Sequence, residues 1–218
     1  MKINSKIKNL FLYSILIFSS TDSWATPSLF SYGALLTGST SMTENSGGNT
    51  YKHENMFFIG HSGFAFGAGC SFTSGVIGIS FKGEAAWIGD SIDRKNVSSL
   101  ASSTYRDEST RTLVGAALSF KPGPISLDFD YYPYIQNNIS YSDAKQPENP
   151  FIKNDRWKGS GTGVSIVFKF MPTVRNFITY RRLTYNEIDI AGAPVTLPST
   201  QWSTLVFDEV LLGYGTEF

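Results

Sequence analysis

The chain has 218 residues, 18 basic against 18 acidic side chains, 15% aromatic residues and a single cysteine, Cys70. One cysteine excludes the small secreted folds held by internal disulfides. The charge balance lacks the basic surplus that a nucleic-acid partner demands, and the length suits one domain.

Lys2, Lys6 and Lys8 precede the apolar run Leu10 to Phe18, and Ser23-Trp24-Ala25 puts small residues at the two positions a signal peptidase reads. Residues 1–25 therefore read as a secretory signal, too short for a spanning helix, and residues 26–218 as the exported domain. No cysteine follows directly on the expected cut, so a lipid anchor is not expected. No later stretch reaches the ~18 apolar residues a spanning helix needs.

Period-two alternation then marks eight segments in chain order. Leu29 to Gly38 is the first, followed by a polar stretch to Asn55 containing Gly47-Gly48. Met56 to Phe72 turns tightly at Ser74-Gly75 into Val76 to Ile88. A Ser-, Asp- and Asn-rich loop leads to Glu108 to Lys121, which Pro122-Gly123-Pro124 ends with strong turn chemistry. Ile125 to Gln136 precedes a loop of about twenty residues with Pro147 and Pro150. Lys158 to Phe170 turns at Met171-Pro172-Thr173 into Val174 to Ile188, and Gln201 to Phe218 closes the chain after a loop with Gly192, Pro194 and Pro198. The connections run long, short, long, short, long, short, long. That rhythm predicts an all-β, eight-stranded antiparallel up-and-down transmembrane β-barrel, with long loops outside the cell and short turns in the periplasm.

Alternation alone does not say which face points inward. A soluble lipocalin-like binding protein buries its apolar face, whereas a membrane barrel turns it to lipid. Ile125, Leu127, Phe129 and Tyr131 alternate with Ser126, Asp128, Asp130 and Tyr132, on a segment long enough to span a bilayer. Aromatic girdles are expected from Phe120, Phe170 and Phe218 at the turn side, and from Trp87, Trp157 and Trp202 at the loop side. The last strand ends on Phe218 behind a stripe of Tyr214, Leu212 and Val210, with Thr216 interrupting it.

This ending resembles the C-terminal signal that the outer-membrane barrel assembly machinery reads, with Thr216 as a departure from its pattern. Across residues 26–218 the architecture resembles the small eight-stranded outer-membrane barrels typified by the OmpA membrane domain, OmpX and OmpW. That resemblance implies contact with outer-membrane lipid and lipopolysaccharide. The group includes structural and adhesive proteins, carriers of small apolar molecules and lipid A-modifying enzymes, so fold does not choose the function.

With apolar faces outward, the lumen would hold His61, Lys82, Glu84, Arg111, Asp128, Asp130, Lys169, Arg181, Glu209 and Glu217. Charges in so narrow a space must pair, which predicts an ion-pair plug; a conducting path is the alternative. Nearer the loops, Phe57, Ile59, Tyr132, Tyr134, Leu205 and Phe207 would face inward. They form either packing, with Tyr132 and Tyr134 lying over Gly159, Gly161 and Gly163, or a pocket for a small apolar ligand. A lipid A hydrolase or transferase needs a histidine working with a serine. His61 adjoins Ser62 but the two face opposite sides of a strand, and His53 in the first loop has no fixed partner. Asp90 and Asp93 read as loop acids, neutral between a divalent ion and solvent. No nucleophile elbow, metal-ligand cluster or cofactor loop is present, so no cofactor is expected. Cys70 falls on the lipid face. Tyr141, Lys145, Lys153, Arg156, Trp157 and Lys158 form a basic, aromatic loop suited to a surface partner. The leading expectation is a non-enzymatic barrel with a structural or surface-interaction role.

Overall fold

The computed structural model describes residues 26–55, 57–58, 60–99, 101–143, 149–171 and 173–218; the expected signal at 1–25 lies outside the described residues. Ten strands follow in order: β1 (Thr26–Ser46), β2 (Asn49–Glu54), β3 (His61–Ser74), β4 (Ile77–Asn96), β5 (Ser102–Phe120), β6 (Ile125–Ser142), β7 (Arg156–Met171), β8 (Val174–Ile190), β9 (Ala193–Thr196) and β10 (Leu205–Glu217). Eight of them close an antiparallel ring, β1-β3-β4-β5-β6-β7-β8-β10, which β10 completes by pairing with β1. Closure leaves no unpaired edge inside the bilayer. β2 and β9 lengthen the wall at the end opposite the chain termini, on β1 and β4 and on β8 respectively.

Polarity runs in the order a membrane barrel requires. Leu35, Leu118, Phe129 and Leu212 are 52–69% exposed on the outside, whereas His61, Arg111, Arg181 and Glu209 are at most 1% exposed within. The apolar belt spans about seven to nine residues per strand, for example Leu29 to Leu35 on β1 and Phe64 to Phe72 on β3, as expected for a ~25 Å band. Phe120 and Phe218 stand at its turn side and Trp87 at its loop side, all exposed. Trp157 and Trp202 do not join the girdle. Both are buried inside the extracellular half.

That extracellular half is the main departure from the segment map. The polar stretch read as a loop after Gly38 is a β1–β2 hairpin, turned on Gly47 and Gly48 with φ of 58° and 79°. Two successive left-handed residues make the turn that matches strand twist, and glycine adopts that backbone without steric cost. Likewise, the Ser- and Asp-rich stretch after Ile88 is strand, with β4 and β5 paired out to Lys95 and Ser102. Above the belt the outward face turns polar and the apolar residues move to the inner face, so no outward apolar stripe marks the strands although pairing continues.

Irregularities re-aim particular side chains. The β6–β7 register shifts between Tyr132 and Ile135. In consequence Tyr132 and Ile135 are fully buried inside while Tyr134 is exposed outside, which corrects its expected inward position. Bulges commonly redirect a side chain in this way. Tyr132 lies over Gly115 of β5, where an added Cβ would sit 2.7 Å from its ring, rather than over the β7 glycines. Gly159, Gly161 and Gly163 instead stand opposite Tyr185, Leu183 and Arg181 on β8 and leave those large side chains room.

Candidate functional site

The lumen is filled in two tiers. In the tier within and just above the belt, Glu209 receives Nη2 of Arg111 (2.9 Å) and Nε of Arg181 (2.7 Å), and its other oxygen meets Nη1 of Arg111 and Nε2 of His61 (2.8 Å). His61 Nδ1 lies 2.6 Å from Asp90. Arg181 reaches on to Glu84 at 2.8 Å, and Tyr32 donates to the second Glu84 oxygen at 2.8 Å. Below, Lys82 donates to Asp130 at 2.6 Å, and Ser165 donates to the same carboxylate. At the periplasmic mouth Arg175 pairs with Asp128 at 3.2 Å, while Lys169 and Ser28 hold Glu217.

Of the ten charged or polar residues expected in the lumen, His61, Glu84, Arg111, Asp128, Asp130, Arg181 and Glu209 are buried, and Lys82, Lys169 and Glu217 are half-buried. Asp90 and Arg175 belong to the same network and were not assigned to it. Period two finds both: Asp90 continues the inward phase of Glu84, Ala86 and Ile88, and Arg175 that of Arg181, Thr179 and Phe177. Asp90 and Asp93 share no site, since Asp93 accepts from Thr104 in an exposed position.

Above this tier a packed apolar cluster fills the barrel. It contains Met42, Ile92, Tyr105, Leu113, Tyr132, Ile135, Ile139, Phe151, Trp157, Leu183, Tyr185, Ile188, Leu197, Trp202, Leu205 and Phe207. Phe207 stacks on Trp157 at 5.9 Å and meets Tyr185 edge-on at 5.3 Å, and its other side lies 5.0 Å from His61. Tyr132, Leu205 and Phe207, expected as lining for a ligand pocket, are therefore core, each at most 1% exposed. Phe57 is half-buried in the segment joining β2 to β3, and Ile59 lies outside the described residues.

His53 is not a loop histidine. It sits in β2 with its ring 1% exposed, Nδ1 2.9 Å from the Tyr105 hydroxyl and Nε2 3.1 Å from Glu44, which also takes Arg94 at 3.0 Å. Burial holds His53 below its ordinary value. Glu44, against the upward push of burial, is held below the carboxylate range by His53 and Arg94. Among the described residues neither histidine has a serine as a hydrogen-bond partner, and no group of three His, Cys, Asp or Glu is placed to hold a metal.

Asp107, opposite Asp90 on the extracellular part of β5, is 1% exposed and bonded by Asn149. Burial pushes its carboxyl up to about 6, and repulsion from Asp90 and Asp155 adds to this. That value lies above the ~3.9 of an unfolded aspartate, so the folded chain holds the extra proton in between. The stability Asp107 contributes is full below pH ~4 and is lost as pH climbs through 6. Intrinsic-rate-corrected amide exchange in β5 should accordingly speed up from pH 4 to 6. Asp107→Asn should abolish that fall and leave the opposite rise expected from Glu44 and His53, whose lowered values add stability as pH climbs to 4.5 and 6.5 respectively. An unchanged profile in Asp107→Asn would sink the assignment.

On the outside, the extracellular wall carries a groove of ≈ 340 Å³ lined by Arg156, Lys158, Glu187, Asp189 and the β9 residues Pro194 to Thr196. Lys158 pairs with Glu187 at 3.1 Å and Arg156 with Asp189 at 3.5 Å. Of the expected loop patch, Tyr141, Lys153, Arg156 and Lys158 are exposed, Trp157 is buried, and Lys145 lies outside the described residues.

A closed eight-stranded antiparallel ring, apolar outside and ion-paired inside, is a transmembrane β-barrel of the small outer-membrane type. The fold is shared with the outer membrane protein OprG from Pseudomonas aeruginosa, at a TM-score of 0.51 and 10% identity, covering 89% of this chain and 97% of that one. Ail, the attachment invasion locus protein of Yersinia pestis, aligns with a TM-score of 0.46 at 13% identity over 89% of this chain and 99% of its own. The outer membrane protease OmpT from Escherichia coli aligns at 0.39 and 8% identity over 88% and 96%. At 10% identity the fold is what this chain shares with OprG. No family model and no curated protein sequence matches the chain.

Proposed function

We propose that this chain is a non-enzymatic outer-membrane barrel that acts through its extracellular half, as a structural and surface-interaction protein. The observation carrying this reading is the filled lumen. An ion-pair tier and an aromatic tier meet at His61 and Phe207, which speaks against a conduit or a carrier pocket. The hydrogen-bond partners of both histidines speak against a lipid A hydrolase. What remains available is the outer wall above the membrane, where the groove beside Arg156 and Lys158 offers paired charges and an exposed edge strand to a partner with both anionic and hydroxyl groups.

In the same reading residues 1–25 direct export and are removed after Ala25. Outer-membrane lipid and lipopolysaccharide surround the belt, and the exposed stripe of Leu212, Tyr214 and Phe218, with Val210 behind it, is read by the assembly machinery. Reconstitution into planar bilayers tests the central point. The purified barrel is expected to leave conductance at the level of the bare membrane from pH 5 to 8. Stable single-channel steps would overturn the proposal in favour of a channel.

A further inference from the structure

β2 and β3 are one strand of the wall interrupted. Ser41 pairs with Glu54 and Gly38 with His61, so β1 has two residues, Ser39 and Thr40, opposite the six residues 55–60. The other neighbour shows the same mismatch, since Glu54 pairs with Asp93 and His61 with Asp90. Four residues are surplus to the ladder, and the sequence there reads Met56-Phe57-Phe58-Ile59.

The wall is sealed behind them. The Asn55 side chain accepts from the Thr40 backbone N–H (2.7 Å) and donates to the Thr40 hydroxyl (3.3 Å), and the Gly60 carbonyl accepts from Ser91 N–H (2.6 Å). A side chain at Gly60 would collide with Asn55 and stand 2.9 Å from the Ser91 carbonyl, so the closure depends on glycine. The lumen at this rung already holds Thr40, Asp90 and His61, all buried. Phe58, within the insertion, is consequently turned to the outside. Phe58 is 68% exposed with φ 74°, an unusual backbone for a bulky residue, and Phe57 meets it edge-on at 4.6 Å.

Directly below on the same strand are Ser62 and then Phe64, which with Phe66 and Trp87 forms the aromatic rim of the lipid belt; Phe64 and Trp87 stack at 5.4 Å. A tilted strand rising about 3 Å per residue places the base of the insertion roughly 5–10 Å beyond that rim, within the interfacial layer of a bilayer. Apolar residues ejected sideways at that height adjoin lipid. Resting on the membrane reading above, we infer that Phe57 and Phe58 form a lateral apolar finger seated in the outer-leaflet interface, anchoring the extracellular half against the lipid surface. Its occupant is lipid, by continuity with the belt.

The test uses the full chain with Cys70→Ser and a single new cysteine, Phe58→Cys, carrying an environment-sensitive fluorophore. Reconstitution is into phosphatidylcholine vesicles that contain headgroup-level or shallow acyl-chain spin labels. A Val97→Cys label on the exposed β4–β5 turn serves as the aqueous reference. The expected result is blue-shifted emission and at least threefold stronger quenching by the shallow spin label at 58 than at 97. Equal emission and quenching at the two sites would overturn the finger. So would a blue shift that vanishes on dilution into excess lipid, which would mark contact between copies. If the labelled protein does not show the heat-dependent gel shift expected of a folded barrel, Phe58→Trp gives the same readout as quenching added to that of the parent. Absence of conductance or of a soluble partner bears on the proposed function and leaves this result unaffected.

Discussion

Glu209→Ala is expected to destabilise the barrel by about 3–5 kcal/mol, the range for breaking a buried ion pair by removing one partner. Glu209 is 0% exposed, and its two oxygens are shared among Arg111, Arg181 and His61. Without it, Arg111 loses its carboxylate, Arg181 keeps only Glu84, and His61 keeps only Asp90. Phe207 and the aromatic tier close the space above, which keeps water from reaching the exposed charges from that side. The measurement is urea unfolding in lipid micelles, followed by the gel shift between folded and unfolded forms. Glu209→Gln, which retains an acceptor, should lose less. Glu209→Leu combined with Arg111→Met should recover more than half of the loss, because a buried pair exchanged for apolar groups of similar volume removes both desolvation costs. A loss within 1 kcal/mol for Glu209→Ala would mean that the lumen is hydrated and the network is no plug.

Trp157→Ala is expected to have a comparable effect confined to the other tier. Its ring is fully buried at the start of β7, 4.9 Å from Phe151 and 5.9 Å from both Tyr185 and Phe207. Truncating a large buried aromatic costs about 3–5 kcal/mol through lost burial and an unfilled cavity. The belt below closes through its own ladder and ion pairs, so local opening should precede global unfolding. Trypsin cleavage near Lys153 and Lys158 should accelerate by two or more orders of magnitude, while the heat-dependent gel shift persists. Unchanged cleavage would show that the extracellular half does not depend on its aromatic core.

Both predictions concern residues whose inward or core position was partly readable from the chain. The parity of Glu209 was legible because the lipid belt writes a strict period-two pattern into β10. Trp157 was misread as a girdle residue because a tryptophan at the end of an apolar segment looks the same whether it faces lipid or a packed interior. Tyr134 was misread because one extra residue at Pro133 reverses the phase, and nothing in the alternation marks where that residue falls. His53, read as a loop residue, is a buried strand residue whose partners Glu44 and Tyr105 come from two other strands.

The apolar belt, the strand count, the short turns and the inward charges of residues 82, 84, 128, 130 and 209 were determined by the sequence alone. Lipid on one side and a narrow lumen on the other impose opposite demands on successive residues, and that contrast is local. Above the membrane the contrast disappears, since water replaces lipid outside and an apolar core replaces the ion pairs inside. There only the tertiary structure decided the outcome. Cross-strand pairing carried β1, β4, β5 and β6 on past the belt, and ring closure set His61 against Glu209, 148 residues apart. The mismatch of six residues against two left Phe58 exposed on the outside of the wall. Register is a property of two strands together, and a single strand's pattern does not contain it.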